Sequence, residues 1–222
     1  MNDPADQLLL PDSEKLRRRM VERQLVRRGI ADERVLEAML SVPREAFVPP
    51  YLARHAYDDC ALPIEAEQTI SQPYIVALMA EAAELKAGDR VLEIGTGSGY
   101  AAAVLGRIAG QVHTIERHAL LAQTAQARLA ALGYGNIEVR CGDGMQGWPE
   151  ATPFDAILSA ASGPGIPVAW KRQLAPGGRL VMPRGGMTRV QNLIKLKRTG
   201  EEDFVEENLG KVMFVPLVEG TT

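Results

Sequence analysis

The 222-residue chain is 46% hydrophobic and 24% charged, with a formal net charge of −3. It has enough apolar material for a full core, its slightly acidic balance gives no global basic footprint for nucleic acid, and no apolar run approaches the roughly 18 residues of a membrane span. The two cysteines, Cys60 and Cys141, are too few for a disulfide framework and read as reduced, half-buried thiols of a cytoplasmic protein; the acidic, polar start MNDPADQLLLPDSE has no signal-peptide pattern.

Residues 1–11 read as a loose tail. Asp12 or Ser13 caps a helix that runs to about Arg28 and is ended by Gly29. Its basic run, 15–19, reads as a solvated face. Asp32 caps a second helix with Val35, Leu36, Met39 and Leu40 on one side, closed by Pro43. Residues 43–70 hold several prolines and little periodicity, and read as irregular structure draped over the rest. A third helix is expected over 72–84, with Pro73 in its first turn, where the missing N–H costs nothing.

Beyond residue 84 the pattern changes to alternation. Strands are expected at 90–94, 111–115, 137–140, 154–159 and 179–182, with helices at 100–108, 120–132 and 167–174. Segments 190–197 and 212–217 read as closing strands around a polar turn near 199–203. Such alternation predicts an α/β fold with a doubly wound, mostly parallel, seven-stranded Rossmann-like sheet and extra N-terminal helices. Residues 12–222 then form one domain, with a helical and irregular cap over 12–84 and the sheet over 85–222.

The most informative stretch is VLEIGTGSGY at 91–100. An apolar strand ends in an acid and an isoleucine, and glycines follow at 95, 97 and 99. They permit a tight turn and close backbone approach to a ligand, at the N-terminus of the next helix. The acids Glu93, Glu116 and Asp143 end or follow the first three strands. Glu116 meets the dinucleotide fold's requirement for an acid about 20 residues past the glycines. However, the spacing is G-x-G-x-G rather than G-x-G-x-x-G, and an acid before the loop repels phosphates. A cationic, phosphate-free ligand suits it better. S-adenosylmethionine fits, with Glu93 near the methionine end, Glu116 on the ribose and Asp143 on the adenine amine. No metal site is expected. A strand-end acid and an ordinary G-D-G turn remain the plainer readings of Glu93 and Asp143.

Upstream lies QTIS at 68–71, directly before the third helix. Together with VLEIGTGSGY, PREAFVPP (43–50), AYDD (56–59), GDG and GWPE (142–150), PFDAI (153–157), QLAPGGRLVMP (173–183) and FVPL (214–217), it resembles the protein-L-isoaspartate O-methyltransferase family over about residues 20–217. The resemblance implies methyl transfer from S-adenosylmethionine to the free α-carboxylate of L-isoaspartyl residues in damaged peptides and proteins. It places the catalytic serine at Ser71, and cofactor contacts at Thr69, Ile70, Glu93, Gly95, Thr96, Gly97, Ser98, Gly99, Glu116, Arg117, Gly142, Asp143 and Gly144. Neither nucleic acid nor membrane is an expected partner. Two places depart from the family pattern. Glu67 stands where a small residue often precedes QTIS, and Ser162-Gly163-Pro164-Gly165 replaces an alanine-rich turn.

Taken as a residue, Ser71 fits either an N-cap of the proline-initiated helix or a hydroxyl that orients the acceptor. An α-carboxylate ordinarily titrates near ~3.5, so it is ionised at neutral pH and needs no general base. This agrees with three histidines, His55, His113 and His118, that read as structural or surface groups. The segments 43–70 and 214–217 are candidate walls for a dry site, and the 212–217 strand is a candidate for pairing with an extended peptide. Alternatives are a related carboxyl methyltransferase with another acceptor, a non-catalytic S-adenosylmethionine-binding protein, and a dehydrogenase.

Overall fold

A computed structural model describes residues 12–186 and 190–222; the expected tail at 1–11 lies outside them. The N-terminal part holds α1 (Ser13–Met20), α2 (Glu33–Ser41), the short hairpin strands β1 (Leu62–Pro63) and β2 (Thr69–Ile70), and α3 (Pro73–Ala82). The alternating part follows as β3 (Arg90–Ile94), α4 (Tyr100–Ile108), β4 (Gln111–Glu116), α5 (Ala119–Ala131), β5 (Ile137–Cys141), β6 (Phe154–Ser159), α6 (Val168–Gln173), β7 (Leu174–Arg184), β8 (Gln191–Arg198) and β9 (Phe204–Val212).

Strands β3 to β9 form one seven-stranded sheet in the order β5-β4-β3-β6-β7-β8-β9. The β5-β4-β3-β6-β7 part is parallel, and β8 and β9 add antiparallel. The expected doubly wound, mostly parallel sheet is therefore present. Alternate residues of β3 serve opposite faces, as the period of a strand requires. Val91 packs with α4 and the N-terminal helices, while Leu92 and Ile94 pack with Trp148, Phe154 and Trp170. Burial on both faces explains the nearly continuous apolar runs. The chain leaves β3 toward β4 on one side and reaches β6 on the other. That is a topological switch point, where a crevice opens beyond the strand ends.

The expected elements stand, with informative differences. The first helix continues past α1 as a π turn (Val21–Leu25) and a 3-10 turn (Val26–Arg28) before Gly29 ends it at φ 94°. Asp32 caps α2 by accepting from the Arg34 N–H at 2.9 Å, as expected. Arg17 is not part of a solvated face. It donates to the Tyr57 hydroxyl at 2.9 Å and the Leu40 carbonyl at 3.1 Å, and so joins α1 to α2 and to the irregular segment. Both cysteines are exposed rather than half-buried.

Strand β7 begins directly at the end of α6, so the turn-forming residues Pro176-Gly177-Gly178, between the helix expected at 167–174 and the strand expected at 179–182, lie inside it. Leu174 is buried opposite Phe154, and a bulge with Gly177 at φ 74° absorbs the turn residues. The last strand also lies earlier than expected. β9 is a sheet edge with a mostly exposed, acidic face, so it has no hydrophobic signature. The apolar segment that follows it is no sheet strand: Val215 and Leu217 bracket Ser162 through two backbone hydrogen bonds, 2.8 and 2.7 Å long.

Arg179 of β7 fastens α3 to the sheet. It donates to the carbonyls of Ala83 (2.6 Å) and Glu84 (2.7 Å) and to Asp89 Oδ2 (2.9 Å), almost out of solvent. Removing the carboxylate leaves this cation buried and unpaired. We therefore expect Asp89→Ala to cost about 3–5 kcal/mol in denaturant unfolding; a loss below about 1 kcal/mol would show that the pair is not a fastening.

Candidate active site

The glycine turn is set by the strand it leaves. The N–H groups of Gly95 and Thr96 both donate to the Ile115 carbonyl, at 2.8 and 3.3 Å, pulling the chain toward β4. Gly95 takes φ 92° and Gly97 φ 53°, left-handed values that side chains resist. A Cβ on Gly95 would also stand 3.3 Å from the Ala160 Cβ. Glu116, at the end of β4, then clamps the turn. Its Oε2 accepts from Gly97 N–H at 2.8 Å and its Oε1 from His118 N–H at 3.0 Å. From α5, Arg128 donates to the Ser98 carbonyl at 2.7 Å.

Beyond the turn lies a cavity of about 680 Å³, a size suited to a small-molecule ligand. Of the residues singled out in the sequence, Thr69, Ser71, Gly95, Gly97, Glu116, Arg117 and Gly144 line it. Ile70, Glu93, Thr96, Ser98, Gly99, Gly142 and Asp143 stand behind or beside the lining. Asp143 Oδ1 accepts from Met145 N–H at 2.9 Å, so the G-D-G acid caps the turn that presents Gly144. Arg117 donates to the Gly220 carbonyl at 3.4 Å, and its own carbonyl accepts from Thr222 N–H at 2.9 Å.

Glu93, expected near the methionine end of the ligand with a strand-end acid as the plainer reading, is buried behind the cavity lining. It is 2% exposed, and its Oε2 accepts from the Thr114 hydroxyl at 2.6 Å. The Thr114 and Thr96 hydroxyls lie 2.6 Å apart, which extends a buried polar chain under the glycine turn. Burial pushes the Glu93 carboxyl up to about 8, and Glu116 adds to the rise, while the Thr114 hydrogen bond opposes it. This carboxyl gains from a nearby positive charge, so the residues present fit a cationic ligand. The positive-φ glycine cradle and the Glu116 carboxylate in the cavity wall fit a ribose-bearing one.

Ser71 stands outside the helix that follows it. Gln72 occupies the N-cap position of α3 and makes no side-chain cap bond. The Ser71 hydroxyl has no hydrogen-bond partner among the described residues, and its carbonyl accepts from Arg44 Nη2 at 2.8 Å. The N-cap role therefore drops out. The preceding hairpin turn places Ala66 at φ 55° and Glu67 at φ 57°. Glu67, the departure from the family pattern, thus occupies a backbone conformation that glycine adopts without strain.

Sequence reasoning missed much of the far wall. Ala160 and Ala161 after β6, Gln68 and Gln72 beside Ser71, and His118 and Lys211 line the cavity, as do residues 213–218. Of these, Gln68 and the strap residues 214–217 fall in the two segments expected as walls, and that expectation holds. This strap is bound through Ser162 and through Gln191, whose Oε1 accepts from Phe214 N–H at 2.9 Å. Much of its backbone is thereby committed, which counts against pairing with a peptide. The departing Ser162–Gly165 turn proves to be the strap's anchor. His113 is buried edge-on against Trp148 and Phe154, and burial lowers its pKa; His55 is an exposed partner of Asp58.

Sheet order, switch-point cavity and acid-clamped glycine turn define an α/β enzyme of the S-adenosylmethionine-dependent methyltransferase class. A family model for protein-L-isoaspartate(D-aspartate) O-methyltransferase matches residues 15–222. Proteins named protein-L-isoaspartate O-methyltransferase from Rhodopseudomonas palustris and Methylorubrum extorquens are each 59% identical. The first match covers 90% of this chain and 91% of the relative, the second 95% and 92%. A solved structure of that name aligns with a TM-score of 0.82 at 31% identity, over 90% of this chain and 65% of the other. Another, from Plasmodium falciparum and in complex with S-adenosyl-L-homocysteine, aligns with a TM-score of 0.79 at 26% identity, over 91% and 98%. The chain belongs to the protein-L-isoaspartate(D-aspartate) O-methyltransferase family.

The folded chain keeps the Glu93 proton up to about pH 8, whereas an unfolded carboxyl releases it near 4.5. Stability drawn from this group is complete below the lower value and is lost as pH rises through the upper one. Glu93→Gln, permanently neutral, should therefore gain stability relative to the wild-type chain between about pH 5 and 8 in denaturant titrations; a pH-independent difference would contradict a raised Glu93.

Proposed function

We propose that this chain repairs damaged proteins by transferring the methyl of S-adenosylmethionine to the free α-carboxylate of L-isoaspartyl residues. The methyl ester, a better leaving group than the carboxylate, then closes to a succinimide whose hydrolysis returns some normal aspartate. The observation that carries this reading is one cavity lined by both a clamped glycine turn and a serine whose hydroxyl has no partner among the described residues, in a chain of this family.

When bound, S-adenosylmethionine supplies a methyl activated by its sulfonium. The chain's residues have the tasks of holding, aligning and drying. Glu116 spends one acceptor direction of each oxygen on the turn, which leaves others for ribose hydroxyls. Gly95 and Gly97 let the backbone approach closely, with Thr69, Ile70, Thr96, Ser98, Gly99 and Arg117 supporting that wall. Glu93, from behind, is held neutral by burial and favours the cationic end by giving up its proton as that charge arrives. Asp143 holds Gly144 in the wall and takes the adenine amine together with Gly142. Ser71 donates its hydroxyl to the acceptor carboxylate. No base is required, because that carboxylate is ionised at neutral pH. Alignment of the reacting atoms can supply about 7–11 kcal/mol in favourable cases. The apolar strap and the β1–β2 hairpin limit competing water. The exposed, unpaired thiols of Cys60 and Cys141 suit a reducing compartment such as the cytoplasm.

A labelled-methyl assay on an isoaspartyl peptide and its aspartyl twin is the direct test. Only the first should be labelled; equal labelling of both, or of neither, would refute the reading. Ser71→Ala should lower turnover about 10–100-fold, the worth of a hydrogen bond to a charged group, with S-adenosylhomocysteine affinity unchanged. Full turnover would remove Ser71 from the reaction. Glu116→Ala should weaken S-adenosylhomocysteine binding by at least about tenfold in calorimetry, having lost both the turn clamp and the ribose acceptors.

A further inference from the structure

Arg44 is an unexplained buried cation. It lies in the PREAFVPP segment and is 0% exposed. Its Nε donates to the Ala56 carbonyl at 2.7 Å and its Nη2 to the Ser71 carbonyl at 2.8 Å. Its guanidinium carbon lies 4.7 Å from the centre of the Tyr100 ring. Among the described residues it has no carboxylate partner, and its Nη1 has no hydrogen-bond partner at all.

A buried guanidinium with two carbonyls and an aromatic ring for partners, and no carboxylate among the described residues, is expensive to keep, and an apolar side chain of similar volume would ordinarily be as stable or more so. What such a side chain could not do is bridge these three groups. Ser71 carries the candidate acceptor hydroxyl. Tyr100 is the first residue of α4, directly after the glycine turn that holds the donor. Ala56 belongs to the irregular segment 43–70. Arginine's planar fork holds two carbonyls in fixed directions while its face stacks on an aromatic ring. Methyl transfer depends on the distance and line between donor and acceptor, and this bracket spans the two sides. Its charge, which has no carboxylate partner among the described residues, is held one hydrogen bond from Ser71.

We propose that Arg44 is a positioning residue that sets the acceptor side of the cavity against the donor side, by fixing Ser71 relative to the start of α4. The proposal rests on the acceptor role given to Ser71 above. It predicts a defect confined to the acceptor. The Ala56 and Ser71 carbonyls lose their donors in Arg44→Met, whereas Arg44→Lys keeps the charge on a single donor nitrogen without the fork.

The test compares wild type, Arg44→Met and Arg44→Lys well below their melting temperatures. Four quantities are measured: S-adenosylhomocysteine affinity, isoaspartyl-peptide affinity in its presence, KM and kcat. The Met variant should bind S-adenosylhomocysteine within about twofold of wild type while kcat/KM for the peptide falls by about tenfold or more. The Lys variant should recover most of the KM but not all of the kcat. A lower melting temperature with unchanged peptide constants would overturn the proposal, and so would equal loss of both ligands. Should Arg44→Met not fold, the Lys variant decides, since wild-type kcat there removes any need for the fork. If the wild-type chain itself neither binds nor methylates the peptide, the functional reading fails separately. A crystal structure of either folded variant then still reports whether Ser71 has moved relative to Tyr100; an unmoved Ser71 overturns the positioning role.

Discussion

The Glu116 carboxylate is the tie on which the cavity depends. A turn containing glycines at positive φ has large freedom when unfolded and little intrinsic reason to hold one shape. Here one carboxylate accepts from the backbone on both sides of the crevice, at Gly97 and at His118. The β3–α4 turn and the β4–α5 turn therefore move as a unit. Arg128 holds the Ser98 carbonyl from the same helix that begins after His118, and the Thr222 carbonyl accepts from the first N–H of α5. The crevice at the switch point is thus built from polar backbone contacts laid over an apolar sheet.

The acids at the strand ends show how environment separates residues of one chemical type. Glu93 is sealed beneath the turn with the Thr114 hydroxyl as its hydrogen-bond partner, and burial, with Glu116 nearby, drives its carboxyl toward the neutral form. Glu116, further out at the end of its strand, is surrounded by N–H donors and reaches the cavity. Asp143 serves its own turn. Their shared register in the sequence points to one ligand. Their roles differ because the sheet places one below the cavity, one in its wall and one at its corner.

The acceptor side is organised differently. Ser71 lies on no regular element: it sits between β2 and α3, held by a buried guanidinium from a segment that sequence reading could describe only as irregular. The strap that faces it is likewise non-repetitive, anchored at Ser162 and Gln191. Donor recognition thus uses the rigid ends of central strands, while acceptor recognition uses loops held by side-chain bonds to backbone. The division is expected when a cofactor fold is fitted to its own second substrate.

Most of the sheet was legible in the sequence because buried parallel strands must be apolar on both faces, and their glycine and proline boundaries are local signals. VLEIGTGSGY, the Glu116 register and the first residue of α4 were readable for that reason. The edge strand β9 was not, since a solvent-facing acidic strand has no hydrophobic period, and the apolar strap imitated a strand by composition alone: only Phe214 and Leu217 in it are half-buried, and the rest is exposed. Local chemistry likewise left Ser71 divided between helix cap and substrate contact. Only the folded chain decided it, by giving the cap position to Gln72 and the Ser71 carbonyl to Arg44. What the sequence by itself determined was the donor-binding frame, set by periodicity and turn chemistry within short windows. Which residues face the cavity was decided by tertiary structure alone, because burial and hydrogen-bond partners come from segments tens of residues away.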